Sequence, residues 1–188
     1  ALGKVLLALY LAMFGYMFIF YGIVVRMIGK CSVKRFFMTI MPAALNAFGT
    51  CSSSATLPIS KRCADELEVP NEISSLALPL GATINMDAVS ILMSFMIVFF
   101  ANACGVEVHF GMLAIVLLSN TLLSIGTPGV PGGAIASFAA LAAIAGLPTG
   151  VMGVYISINT LCDMGATCCN VVGDLACSVA MKETARIS

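Results

Sequence analysis

Three carboxylates, Asp87, Asp163 and Asp174, lie in strongly apolar surroundings, and no Lys or Arg occurs between Arg62 and Lys182. At the centre of a membrane helix a charged side chain costs at least ~2.5 kcal/mol. Such a group must be protonated, paired, or turned toward something that brings positive charge. The chain offers no cation of its own nearby in sequence. The compensating charge then falls to bound ions or to a cationic group on a substrate, which is the chemistry of cation-coupled transport.

Two of these carboxylates belong to a stripe. Asn159, Asp163, Thr167, Asn170 and Asp174 are spaced i, i+4, i+8, i+11 and i+15. At ~100° per residue they share one helix face, and the rest of that helix is apolar. Polar glue between helices, at ~0.6 kcal/mol per hydrogen bond, accounts for the Asn and Thr residues but poorly for two carboxylates. Hard cations such as Na⁺ take oxygen ligands, including carboxylates, amide oxygens and unwound carbonyls. Asn85 with Asp87, and Asn170 with Asp174, supply such groups. Ser52, Ser53 and Ser54 can hold a substrate carboxylate through hydroxyls and helix-terminal amides, or simply form a capping turn.

The elements that carry these residues read as membrane helices. Hydrophobic residues make up 60% of the chain, charged residues 10%, and mean hydropathy is +1.06. A soluble domain carries roughly 25% charged residues. Net charge is zero, which leaves no electrostatic footprint for a nucleic-acid partner. The eight cysteines contain no CxxC pair and read as buried apolar thiols, neither a disulfide framework nor a zinc site. His109 reads as a residue of the membrane edge. The chain opens Ala-Leu-Gly-Lys and runs directly into an apolar segment. That reads as an internal cut, so a larger protein is expected.

The expected fold is an all-α membrane protein, a partial transport domain over 1–188. Residues 5–28 form a transmembrane helix ending at the basic cluster Arg26, Lys30, Lys34 and Arg35, which marks the cytoplasmic side. Residues 36–70 form a first re-entrant hairpin with the serines at its tip. Residues 73–104 form a transmembrane helix broken over Gly81–Asp87. Residues 110–145 form a second re-entrant hairpin, entering from the other side, with Gly126–Gly133 at its tip. Residues 151–182 form the last transmembrane helix. Each half repeats short helix, tip, short helix and long helix, with Gly-Ala-Thr at 81–83 and again at 165–167. That order is an inverted repeat with its site near the midplane.

Four motifs then resemble one family. They are Ser52-Ser53-Ser54-Ala55-Thr56-Leu57-Pro58, Leu78–Asp87, Ser124–Gly132 and Asp163–Asp174. In this order they closely resemble the glutamate transporter family, the dicarboxylate/amino acid:cation symporters, in its later half. An archaeal member of that family is one example of the inverted-repeat architecture. The resemblance implies substrate contacts at Ser52, Ser53, Ser54, Thr83, Val130, Pro131, Gly132, Asp163, Ala166, Thr167 and Asn170, with Asp163 holding a substrate amino group. It implies sodium contacts at Gly81, Thr83, Asn85, Met86, Asp87, Ser124, Ile125, Thr127, Asn170 and Asp174. The two tips become inner and outer gates. It also implies N-terminal scaffold helices beyond this chain, and a homotrimer in the cell membrane.

Some positions depart from the family. Acidic-substrate members usually carry Arg where this chain has Ala166, and Cys51 and Met164 also stand where arginines often occur. Few other residues match a carboxylate bidentately. Asn159 stands where Asp is common, and Ala88 where Gly follows Asn-Met-Asp. The expectation is therefore Na⁺-coupled symport of a small neutral amino acid. The alternatives are proton- or sodium-coupled symport of acidic amino acids or dicarboxylates and, remotely, an intramembrane aspartyl protease, since Gly173-Asp174 is similar to a Gly-Asp catalytic element. That enzyme needs two carboxylates sharing a proton. No enzyme activity is expected.

Overall fold

In the computed structural model, residues 2–186 are described. They fold as helices joined by short loops, with no strand among them. Helix α1 (Leu2–Tyr16) passes through a π-helical turn at Met17–Tyr21 into α2 (Gly22–Met27). Together they make one apolar rod, Leu2–Met27. α3 (Val33–Thr50) and α4 (Ser53–Glu66) form the first hairpin. Its sharp tip is set by Cys51, in the left-handed region at φ 52°. Ser52 is the N-cap of α4, its Oγ accepting from the Ala55 amide at 3.1 Å, as short hydroxyl side chains do at helix starts.

The next long element is α5 (Asn71–Ile84) continued as α6 (Asp87–Cys104). The interruption expected over Gly81–Asp87 is confined to Asn85 and Met86; Gly81 to Ile84 remain helical. Asp87 is the first residue of α6, where a carboxylate suits the positive end of the helix dipole. α7 (Phe110–Ile125) and α8 (Ala134–Ile144) form the second hairpin. His109 caps α7, its Nδ1 accepting from the Met112 amide at 3.2 Å. α9 (Val151–Ala185) is unbroken and ~52 Å long at 1.5 Å per residue.

α9 is the axis of the fold, packed against α1 to α6 and α8. The rod reaches it closely at Gly165, where a Cβ would lie 2.8 Å from Met13 Cε and 3.0 Å from the Tyr10 ring. Phe138 stacks on Tyr155 at 3.9 Å between centroids. The outer faces are apolar: Leu7, Leu11, Phe18, Ile19, Phe110, Leu118 and Leu122 are all more than half exposed. The carboxylates Asp163 and Asp174 are instead buried. A polar interior under an apolar exterior is the arrangement lipid demands.

The basic residues other than Lys4 gather at or near one end. Arg35 pairs with Glu68 at 2.9 Å, Lys182 lies 3.9 Å from the same carboxylate, and its Nζ donates to the Leu67 carbonyl at 3.0 Å. The start of α3, the end of α4 and the end of α9 are thereby tied together. The Arg35 guanidinium holds the Glu68 carboxyl below its ordinary range, with Lys182 adding to the effect.

Candidate functional site

The two hairpin tips meet each other beside the middle of α9. Ser52 Oγ and the Ser54 amide both donate to the Gly129 carbonyl, each at 3.2 Å. Gly129 sits at a triple junction. A Cβ there would collide with the Ala82 carbonyl of α5 and lie 3.3 Å from Ser53 Cβ. Only a residue without a side chain lets the tips and the end of α5 close together.

The second tip also touches α9. Gly132, at φ 75°, donates its amide to Asp163 Oδ2 at 3.0 Å, and Thr167 donates its hydroxyl to Asp163 Oδ1 at 3.1 Å. Both oxygens of the buried carboxylate are thus engaged. The enclosed space has a volume of about 10 Å³, bounded by Cys51, Ser53, Met86, Val89, Thr127, Pro128, Gly129, Val130, Ala134, Asp163, Thr167 and Asn170. That is room for about one water. The lining has one carboxylate and no Lys, Arg or His.

Two turns along α9, a second cluster forms at the helix break. Asn85 Nδ2 donates to Asp174 Oδ1 at 2.8 Å and to the Asn170 carbonyl at 3.2 Å. Asn170 Oδ1 accepts from the Ala88 amide at 2.9 Å, and its Nδ2 lies 3.3 Å from Met86 Sδ. At Gly81 a Cβ would fall on the Asp174 carboxylate, so its absence makes the cradle for that group. The donor set is amide, carbonyl and carboxylate oxygen, hard groups of the kind Na⁺ accepts. Asp87 faces this cluster from the start of α6, its Oδ2 held by Tyr16 and Tyr21. It also lines a wider cleft of about 420 Å³ with Tyr16, Met86, Ser90, Thr121, Ser124 and Ile125.

The remaining sequence-derived positions are distributed differently. Thr83 is exposed, and its hydroxyl bonds back to the Leu80 and Pro79 carbonyls of its own helix. Ser54 is exposed and contributes its amide. Thr127 lines the small chamber, with its Oγ1 on the Leu123 carbonyl and 2.8 Å from Ser137 Oγ. Val130 reaches the chamber, while Pro131 is exposed. Ala166 is fully buried and lies outside the lining of the chamber.

Tyr16, Tyr21 and Asn120 escape sequence reasoning, whereas Asn159 was already part of the stripe. Tyr16 and Tyr21 were signalled only by hydroxyls in an apolar helix, which need partners when buried. Asn120, on α7, donates to the Ser90 carbonyl and Ser94 Oγ at 2.8 and 2.9 Å and so ties α7 to α6. Asn159, the first residue of the stripe, is buried with its Oδ1 unpaired among the described residues.

Neutral amino acid transporter A of Bos taurus is 37% identical over 141 residues, 74% of this chain and 27% of that protein. Neutral amino acid transporter B(0) of Mus musculus is 36% identical over 141 residues, 74% of this chain and 26% of that protein. Excitatory amino acid transporter 2 of Homo sapiens is 32% identical over 157 residues, 83% of this chain and 27% of that protein. The chain spans about a quarter of the length of these relatives. The profile of the sodium:dicarboxylate symporter family matches residues 1–184. Motifs, fold and profile agree: the chain belongs to the sodium:dicarboxylate symporter family, a family of integral membrane transporters and not of enzymes.

Proposed function

We propose that this chain is the moving, substrate-carrying part of a Na⁺-coupled amino-acid symporter that works by alternating access. The observation that carries the proposal is the convergence of both hairpin tips, the helix break and the carboxylate stripe of α9, with no Lys or Arg between residues 62 and 182. Asp163 is the partner of a substrate ammonium group. Its oxygens already accept from the Gly132 amide and the Thr167 hydroxyl, so a substrate amine replaces the tip amide as donor. A space of about 10 Å³ does not admit an amino acid. Entry therefore requires the Gly126–Gly133 tip to lift from Asp163. Sodium ions travel with the substrate, held by Asn85, Asp87, Asn170 and Asp174.

The substrate is a small neutral amino acid. A second substrate carboxylate in the chamber would find no cation among the lining residues, and an unpaired buried charge is strongly disfavoured. Neutral amino acid transporters among the relatives support this choice, and an excitatory amino acid transporter at similar identity supplies the competing reading. The helices against which this unit moves lie outside the 188 residues, and the complete protein is a homotrimer. The test is competition for a labelled serine- or alanine-sized amino acid bound by the full-length protein in Na⁺. Neutral amino acids displace the label and aspartate does not. Displacement by aspartate at lower concentration than by alanine would overturn the neutral assignment.

A further inference from the structure

Tyr16 and Tyr21 both donate to a single atom, Asp87 Oδ2, at 2.8 and 3.0 Å. They are five residues apart. In an α-helix, at about 100° per residue, that spacing splays two side chains by roughly 140°. Here the rod turns π-helical over Met17–Tyr21. Its wider turn, with i→i+5 hydrogen bonds, brings residue i+5 closer to the face of residue i. The two rings accordingly meet edge to face, with centroids 5.2 Å apart. The π turn thus converts a splayed pair into a two-pronged clamp. α9 leaves room for it. At Gly173 a Cβ would collide with the Tyr21 hydroxyl and sit 2.7 Å from Asn85 Nδ2. Asp87 Oδ1 accepts no hydrogen bond from the described residues.

We propose that Tyr16 and Tyr21 are positioning residues for ion binding. Their hydroxyls fix the Asp87 carboxylate by one oxygen and leave the other for a cation, and the π turn is the device that makes this possible. The proposal rests on the sodium reading of Asp87. A carboxylate locked by its neighbours binds with less reorganisation than one free to rotate. The clamp also couples the rod to the ion site, since Tyr21 cannot move without disturbing Asp87.

The experiment measures thermal stabilisation of the full-length protein by Na⁺ alone, without amino acid. The variants are Tyr16→Phe/Tyr21→Phe, Asp87→Asn, and the three changes combined. Phenylalanine keeps the packing and removes the donors. The double Phe variant raises the Na⁺ midpoint about tenfold, the order expected for hydrogen bonds to a charged group. Asp87→Asn also raises it, and adding the Phe pair to Asp87→Asn raises it no further, because the tyrosines act through that carboxylate. If the Phe pair leaves the midpoint unchanged while Asp87→Asn shifts it, the clamp is overturned and the sodium reading stands. An equal shift by the Phe pair in the Asp87→Asn background also overturns the clamp. If Asp87→Asn leaves the midpoint unchanged, the sodium reading itself fails. Should the double variant not fold, Tyr16→Phe alone, at a half-buried position, carries the same expectations with a smaller shift.

Discussion

A missing side chain decides two of the closest contacts around Asp174 and Asn85. Gly81 lies against Asp174, and Gly173 lies between Tyr21 and Asn85. Gly81→Ala puts a carbon where the Asp174 carboxylate now sits. The expected outcome is a displaced carboxylate and a raised Na⁺ midpoint in a protein that still folds, checked by Na⁺ titration of its thermal stability. An unchanged midpoint would remove Asp174 from the ion site. Asp163→Asn retains the shape of its side chain but loses the charge. It is expected to abolish amino-acid binding while leaving the melting temperature without substrate near that of the parent, measured by equilibrium binding and thermal unfolding. The carboxylates were legible in sequence because a charge in an apolar run demands an explanation. Gly81 was reached only through the family resemblance and Gly173 was not reached in this role, because nothing in a sequence says which atom a glycine faces. Ala166 shows the opposite limit. The family resemblance implied contact with a substrate, yet the residue is fully buried, so Ala166→Arg is expected to disrupt packing before it can change specificity.

Among the elements, the junction of tips is the most sensitive to small changes. Gly129→Ala forces a Cβ against the Ala82 carbonyl, which is backbone and cannot step aside cheaply. The tips are then held apart. Cysteines introduced at exposed Ser54 and Val130 provide the check: in this variant their crosslinking yield falls relative to the parent, and an equal yield would show that the tips close without Gly129. At the opposite end, Glu68 links α3, α4 and α9 through Arg35 and Lys182. Its carboxyl is held below the usual value, so its stabilising effect is present at neutral pH and is lost as pH falls below about 4. Glu68→Gln is expected to lower the melting temperature slightly at pH 7 and low salt. The difference vanishes in high salt, because exposed pairs are screened. Helix order was legible from apolar runs punctuated by Gly, Pro and Ser. The π turn was not, because it leaves no periodic trace in the five apolar and aromatic residues Met17–Tyr21.

Over the whole molecule the polarity is that of a membrane protein. Apolar side chains face outward, two of the three membrane-depth carboxylates are buried and Asp87 lines clefts, and the basic residues other than Lys4 gather at or near the end where α2, α4 and α9 finish. The fold class could be read from composition and hydropathy, since a chain with 10% charged residues has few other ways to fold. The closeness of the tips could not, since contacts between hairpins distant in sequence depend on the whole packing around α9. All three carboxylates answer to one claim, that their counter-charge is brought by what the protein carries. The most direct measurement is uptake of a labelled neutral amino acid into vesicles holding the full-length protein, with an inward Na⁺ gradient and with Na⁺ replaced by choline. The account predicts accumulation above the external concentration only when the Na⁺ gradient is present. Equal accumulation in choline would contradict it.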